Sequence, residues 1–196
     1  MTRFVGLTGG IGAGKSEALA AFERLGAATL STDRVAHDLL DDDEVKAALV
    51  DRWGAEVAPG GSVDRDRVSE IVFSDRDELA WLEGVTHPRV GAHVLEWRQS
   101  LNPGVPVAVV EVPLLFEAAM EDAFDTTVAV VADDELRDAR LRERGQGGLE
   151  GREARQLDQK AKEQRADHVI RNDASLEELE SVVRQLIEKL SSGEKP

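Results

Sequence analysis

The sequence predicts an α/β fold in which a mainly parallel β-sheet is flanked by helices. Three observations indicate it: strand-like segments alternate with helical ones, two segments are almost continuous runs of β-branched residues, and a glycine-rich turn joins the first strand to the first helix. Alternation of this kind is typical of parallel sheets. Uninterrupted apolar strands are typical of strands buried on both faces.

The chain opens with a strand, a glycine-rich turn, a helix and a second strand. Residues 3–8 and 27–31 are the two predicted strands. The helix between them is predicted from apolar residues that recur three apart and from the glycine that ends it: Leu19, Phe22, Leu25 and Gly26.

From residue 35 to residue 101 the apolar spacing is helical, interrupted only at 59–61 and at His87-Pro88. Strands are predicted on both sides, so we interpret 35–101 as a helical insertion into one domain whose core is 1–34 and 102–196. A residue before proline prefers extended backbone, so His87 is expected to end a helix.

Beyond the turn at 102–104 the pattern returns to alternating elements. Strands are predicted at 105–112, 126–132 and 168–171, a helix at 136–144, and an amphipathic helix from Leu176 to Leu190. A glycine-rich break and a polar stretch fill the interval from 145 to 165, where no helix is predicted. The sheet is therefore expected to have about five strands.

Composition excludes several classes of protein. The chain has 196 residues, 24 Lys plus Arg, 39 Asp plus Glu and no Cys, which leaves a formal charge of −15. Such a charge repels nucleic acid and anionic membranes, and the lack of Cys excludes disulfides and thiolate sites. No apolar run approaches the roughly 20 residues that span a bilayer. We expect a cytoplasmic monomer without a signal peptide.

Residues 9–16 match the P-loop pattern G-x-x-x-x-G-K-S. Glycines let backbone N–H groups point at phosphate oxygens, and the helix beginning near Gly14 turns its positive end to the same anion. Lys15 is expected to reach the β- and γ-phosphates, and Ser16 to bind Mg²⁺. The alternative, a glycine-rich turn with a chance Lys-Ser, is disfavoured because the motif follows a strand and opens a helix.

The rest of the chain favours a small-molecule kinase over other P-loop proteins. A GTPase needs Asn-Lys-x-Asp, but Asn102 and Asn172 are not followed by Lys. Residues 129–133 resemble a strand ending in a Walker-B Asp, although such strings are common in parallel sheets. Two alternatives stay open: a P-loop kinase for a nucleotide, nucleoside or sugar acid, and a P-loop binding module without turnover.

Asp33 follows the second strand, at the sheet edge where ligands bind in such folds. It is a candidate to accept a hydrogen bond from the hydroxyl that attacks the γ-phosphorus. The alternative is that Asp33 N-caps a helix beginning near Val35.

Arg137, Arg140 and Arg144 lie on one face of the predicted helix. Together with the glycines after it, this helix can form a lid that neutralises phosphates and excludes water. The alternative is a solvated face whose arginines pair with Glu135, Asp138 and Glu143.

Six separated motifs resemble those of the dephospho-CoA kinases. They are Gly6–Ser16, Ser31–His37, His87-Pro88, Val112–Glu117, the set Arg140, Arg144-Gly145 and Arg152-x-x-x-Gln156, and Ala166–Asn172. The chain departs from that family at Ser31, where the first acid of Asp-x-Asp is usual, and at Ala174, where glycine is usual.

The resemblance implies transfer of the ATP γ-phosphate to the ribose 3′-hydroxyl of dephospho-CoA, the last step of coenzyme A synthesis. It implies a P-loop kinase fold with a CoA-binding insertion and a lid at 137–165. The implied catalytic residues are Asp33, Lys15 and Arg140. The implied ATP contacts are Gly10, Ile11, Gly12, Ala13, Gly14, Lys15, Ser16, Glu17, Arg144 and Asn172, with Ser16 also on Mg²⁺. The implied acceptor contacts are Asp33, His87, Pro113, Leu114 and Leu115.

The residues themselves leave two of these roles open. His87 can equally be a buried, hydrogen-bonded structural histidine. The apolar residues at 113–116 can be core or pocket wall.

Overall fold

The computed structural model describes residues 2–143 and 156–192. The chain forms two compact units, one of Met1–Ser31 with Ser100–Pro196 and the other of Thr32–Gln99. The first unit contains the sheet and the second is helical. Within the described ranges, no helix is long and apolar enough to cross a membrane.

The first unit is built on a five-stranded parallel sheet with the order β2-β3-β1-β4-β5. The strands are β1 (Arg3–Gly9), β2 (Ala28–Ser31), β3 (Val107–Glu111), β4 (Thr126–Val131) and β5 (His168–Arg171). The predicted α/β class, strand number and parallel sheet are confirmed. Because β1 is central, the turn that follows it lies in the middle of the carboxyl edge, where ligands bind in such folds.

One face of the sheet packs against two helices, α1 (Lys15–Arg24) and the C-terminal amphipathic helix Leu176–Ser191. Alternate strand residues point to this face. The fully buried members of this core are Val5, Leu7, Val107, Val109, Val128, Val130 and Ile170 from the strands, Ala18, Ala21, Phe22 and Val183 from the helices, and Ala13 from the turn between β1 and α1. Each large side chain buried in this way contributes about 1.5–3 kcal/mol, so this core fixes the strand ends that carry the site.

The opposite face packs closely on Gly6. A Cβ at this position would lie 2.5 Å from Leu115 Cδ1 and 2.8 Å from a ring carbon of Phe124. Phe124 also stacks on Phe4, with 5.0 Å between the ring centroids. Leu115 is fully buried. The Leu115 side chain forms the core beneath β1, so its predicted contact with substrate stays a prediction that concerns its backbone.

The helical unit has a core of its own. It contains α2 (Thr32–Leu39), α3 (Asp43–Trp53), α4 (Arg65–Ser74) and most of α5 (Arg76–Ser100). The fully buried residues are Val45, Leu49 and Val57, and Leu40, Val63, Val68 and Val72 surround them. The unit therefore has its own hydrophobic stabilisation.

Helix α5 is continuous through Pro88, so the predicted helix end at His87 is wrong. Proline removes the hydrogen bond to the carbonyl four residues earlier. That residue is Gly84, which is exposed, so water can reach its carbonyl. In the same turn the Arg89 guanidinium donates to the Val85 carbonyl at 2.9 Å. The exposed position of Gly84 makes the lost bond tolerable, and the helix passes through the proline.

Among the described residues, α6 (Asp134–Glu143) and α7 (Gln159–Arg165) lie between β4 and β5, and the C-terminal helix is α8. Helix α7 was not predicted because it has no apolar stripe. It is attached to the end of β4 by two hydrogen bonds instead. The Gln159 side-chain oxygen accepts the Ala132 N–H at 2.9 Å, and the Gln159 side-chain nitrogen donates to the Ala132 carbonyl at 2.8 Å. Its one buried side chain is Lys162.

Candidate active site

The glycine-rich turn between β1 and α1 has the geometry of a phosphate-binding loop. Gly12 and Gly14 have φ values of 77° and 90°, in the left-handed region that favours glycine. A Cβ on Gly14 would lie 2.0 Å from Asn172 Nδ2. The chain can therefore close this turn and begin α1 at Lys15 only with glycine at position 14.

Lys15 and Ser16 occupy the first turn of α1, where the backbone N–H groups are not used within the helix. The Lys15 ammonium donates to the carbonyls of Gly9 and Gly10, both at 3.1 Å, so it lies against the loop. Ser16 is exposed. The turn thus combines N–H donors, a cation and a hydroxyl, which are the groups that bind a polyphosphate.

Glu17 is the next residue of α1, and its carboxylate pairs with Arg24 at 3.1 Å. Because the side chain is directed along the helix, any contact of Glu17 with ATP has to come from its backbone N–H.

Asn172, directly after β5, is buried and joins the loop to the sheet. Its side-chain amide donates to the Ala13 carbonyl at 2.9 Å, and its backbone N–H donates to the Val131 carbonyl at 2.8 Å. The predicted ATP-binding residue therefore lies against the P-loop.

Two arginines of α6 also reach this loop. Arg137 Nε donates to the Ile11 carbonyl at 3.0 Å, and its Nη1 pairs with Asp134 at 2.7 Å. Arg140 Nη2 donates to the Asn172 carbonyl at 3.0 Å. Arg140 Nη1 is buried and, within the part of the chain that the structure describes, makes no hydrogen bond.

For Arg137 and Arg140, the alternative of a solvated face paired with Glu135, Asp138 and Glu143 is therefore wrong. Arg144, the third member of the predicted row, lies outside the described residues, as do positions 145–155 of the predicted lid.

Acidic residues lie at the ends of β4 and β3. Asp133 is exposed, and its carboxylate accepts the Glu135 N–H at 2.9 Å, so it caps α6. Of the acids in the described ranges, the buried one is Glu111, at the end of β3 and in register with Leu7 of β1. An apolar strand ending in Glu was the available sequence signal for it.

The turn after β3 contains Pro113 and Leu114, which are half-buried, and Glu117. The Glu117 carboxylate forms an ion pair with the buried Lys162 of α7, with 3.0 Å between Oε1 and Nζ. Lys162 was missed by the sequence analysis, because nothing in a polar stretch marks one lysine of several as buried.

The remaining predicted residues belong to the helical unit. Asp33 is exposed in the first turn of α2, two residues after the end of β2. Because α2 already begins at Thr32, the alternative that Asp33 N-caps a helix near Val35 is wrong. His87 is exposed on α5, so the alternative of a buried structural histidine is also wrong.

Comparison with known proteins gives one consistent result. The sequence profile of a family described as Dephospho-CoA kinase matches residues 3–178. A dephospho-CoA kinase of Streptomyces avermitilis is 41% identical over 182 residues, covering 90% of this chain and 88% of that one. One from Protochlamydia amoebophila is 33% identical and covers 96% of both chains.

Solved structures agree with the sequence relatives. The crystal structure of TT1252 from Thermus thermophilus matches with a TM-score of 0.79 at 34% identity, over 96% of this chain and 98% of that one. A shikimate kinase from Acinetobacter baumannii, at 13% identity over 99% and 96% of the two chains, has a TM-score of 0.53 and shares the fold alone. Because the family profile and these relatives match most of its length, the chain belongs to the dephospho-CoA kinase family.

Proposed function

We propose that this kinase transfers the γ-phosphate of ATP to the ribose 3′-hydroxyl of dephospho-CoA, the last step of coenzyme A synthesis. Membership of the dephospho-CoA kinase family supports the acceptor. The observation that carries the proposal is the convergence of Lys15, Arg137 and Arg140 on one glycine-rich loop. In a chain with a net charge of −15, such a cluster of cations suits a polyphosphate.

The loop and α6 share the binding of ATP in this proposal. N–H groups from Gly10 to Glu17 bind the phosphates, and Lys15 exchanges its carbonyl partners for phosphate oxygens, which form stronger charge-assisted bonds. Arg140 already has one guanidinium nitrogen on the Asn172 carbonyl and a second one near Gly14. It can stabilise charge on the transferred phosphoryl group, with Arg144 as a further contact.

The residues present suit Mg²⁺. Ser16 offers an exposed hydroxyl in the first turn of α1, and Mg²⁺ at a nucleotide takes its other ligands from phosphate oxygens and water. When bound, the ion neutralises charge on the β- and γ-phosphates.

Asp33 is proposed to orient the attacking 3′-hydroxyl and to take up its proton late in the reaction. Its place in the chain supports this role, because it follows β2 by two residues and ligands bind at the carboxyl ends of parallel strands. His87, Pro113 and Leu114 are proposed acceptor contacts, and residues 32–99 the CoA-binding domain. All three side chains are at least partly exposed.

The test is Asp33→Asn, with Asp38→Asn as control because Asp38 is an exposed acid of the same helix. We expect Asp33→Asn to lower kcat with dephospho-CoA by about 10²-fold or more, the usual range for loss of a general base, and to leave the Kd of ATP unchanged. Asp38→Asn should behave as the wild type.

Full turnover by Asp33→Asn would remove Asp33 from the mechanism. Turnover with a nucleoside monophosphate or a sugar acid, but none with dephospho-CoA, would overturn the proposed acceptor. ATP binding that no acceptor converts into ADP release would indicate a binding module instead of a kinase.

A further inference from the structure

Lys162 is a fully buried lysine that has no part in the function proposed above. Its ammonium donates to the Pro113 carbonyl at 2.7 Å and lies 3.0 Å from Glu117 Oε1 and 3.4 Å from the Thr8 hydroxyl. The Thr8 hydroxyl in turn donates to the same Pro113 carbonyl at 3.2 Å. All three bonding directions of the ammonium are thus used by oxygen atoms of the protein.

Burying this ammonium is costly, because a charge loses its hydration. Burial lowers the pKa of Lys162 below its ordinary value, against the hydrogen bond and charge of Glu117, which raise it. A buried ion pair is often no more stabilising than apolar side chains of the same volume. General stability is therefore a weak reason for a lysine here, and a requirement for a defined geometry is a better one.

The groups that Lys162 binds define which geometry that is. Pro113 and Glu117 are the two ends of the turn after β3, and the half-buried Leu114 lies between them. Glu117 Oε1 also accepts the Leu157 N–H at 2.7 Å, which ties the chain just before α7 to the same carboxylate. One ammonium therefore fixes both ends of the turn that carries two proposed acceptor contacts.

We propose that Lys162 is a positioning residue, which holds the turn 113–117 in the conformation that binds dephospho-CoA. The inference rests on the proposed function, which identifies dephospho-CoA as the acceptor substrate. ATP binding is assigned to other groups, namely the glycine-rich loop and α6, and Lys162 meets the strand before that loop through its longest contact, 3.4 Å to the Thr8 hydroxyl. Loss of Lys162 should therefore affect the acceptor substrate and spare ATP.

The test compares Lys162→Met with Lys160→Met, which removes the same charge from an exposed position of the same helix. For Lys162→Met we expect the KM of dephospho-CoA to rise about tenfold or more, since small misplacement of binding groups has effects of this size. The KM of ATP should change by less than about twofold, below what loss of one hydrogen bond produces. Lys162→Arg should recover part of the acceptor KM, and Lys160→Met should match the wild type.

A merely structural role predicts a different result. Misfolded enzyme lowers the active fraction, and hence the apparent kcat, without moving either KM. The active fraction is measured by ATP-binding stoichiometry. Unchanged KM values in Lys162→Met, or equal rises in both, would overturn the inference.

Lys162→Met leaves the Glu117 charge buried without its partner, so it can fail to fold. The double variant Lys162→Met/Glu117→Gln removes both charges, and we expect it to fold and to keep the raised acceptor KM. A wild-type acceptor KM in the folded double variant would overturn the inference while leaving the proposed function intact. A wild-type enzyme without any turnover of dephospho-CoA would overturn both.

Discussion

Gly14 joins the phosphate-binding loop to α1, and two separate properties make glycine necessary there. Its φ of 90° disfavours any L side chain, and an added Cβ would lie 2.0 Å from Asn172 Nδ2. Gly26 after α1 has a nearly identical φ of 89° but nothing within 4 Å of the added Cβ. Alanine variants at these two glycines share the strained φ, but only the one at position 14 also has a close contact with a side chain.

Gly14→Ala is expected to abolish measurable ATP binding, because the loop has to shift to relieve the contact with Asn172. Gly26→Ala should cost about 1 kcal/mol of stability from backbone strain alone and bind ATP normally. Titration with a fluorescent ATP analogue and thermal unfolding of both variants measure the two effects. Equal loss of ATP binding in both variants would show that strain, not the contact, is responsible.

The sequence singled out the P-loop residues and, near them, Arg137, Arg140 and Asn172, but it did not single out Lys162 or Glu111. Glycines, Lys15 and Ser16 act through local chain geometry, which a motif contains. Lys162 and Glu111 are defined by burial at the sheet edge, and burial of a single charged residue depends on partners distant in sequence. Thr8 and Lys162 are 154 positions apart.

At the scale of elements, strands with strong apolar patterns were predicted to within about two residues at each end, as expected where burial determines the pattern. Helix α7 and the passage of α5 through Pro88 were not predicted. Side-chain hydrogen bonds from Gln159 attach α7 to the chain after β4, and a bond from Arg89 to the Val85 carbonyl lies in the proline turn of α5. Such bonds leave no periodic signal in the sequence.

Asp167, directly before β5, connects that strand to the start of β4. Its Oδ2 atom accepts hydrogen bonds from the Thr127 N–H at 2.8 Å, from the Thr127 hydroxyl at 2.9 Å and from the Thr126 hydroxyl at 3.2 Å. Burial opposes ionisation of this carboxyl group, but the hydrogen bonds from Thr127 and Thr126 outweigh it and hold the pKa of Asp167 below its ordinary value.

A lowered pKa stabilises the fold above the pKa of the unfolded chain, about 3.9 for Asp, and this stabilisation is lost as the pH falls through the lower folded value. Asp167→Asn should therefore be less stable than the wild type at neutral pH, and the difference should shrink below about pH 4. Urea unfolding between neutral and acid pH measures it, with Asp138→Asn, an exposed acid of α6, as control. A difference that is constant with pH would contradict the role of the Asp167 charge.

At the scale of the whole molecule, two hydrophobic cores divide the stabilisation. The sheet core contains Leu7, and the core of residues 32–99 contains Leu49. Both side chains are fully buried. The proposal assigns ATP binding to the sheet unit, and it names acceptor contacts in each of the two units. Damage to one core should therefore have a different functional effect from damage to the other.

Leu49→Ala and Leu7→Ala make the same chemical change in the two cores, and each should cost about 2–5 kcal/mol. Leu49→Ala is expected to reduce amide-exchange protection in α3 and α4, to leave β1, β3 and β4 protected, and to preserve the Kd of ATP. Leu7→Ala should reduce protection in the strands and weaken ATP binding, because β1 carries the glycine-rich loop. Hydrogen exchange read by mass spectrometry, with ATP titration, distinguishes the two. Equal loss of protection throughout both units in either variant would mean that the cores unfold as one.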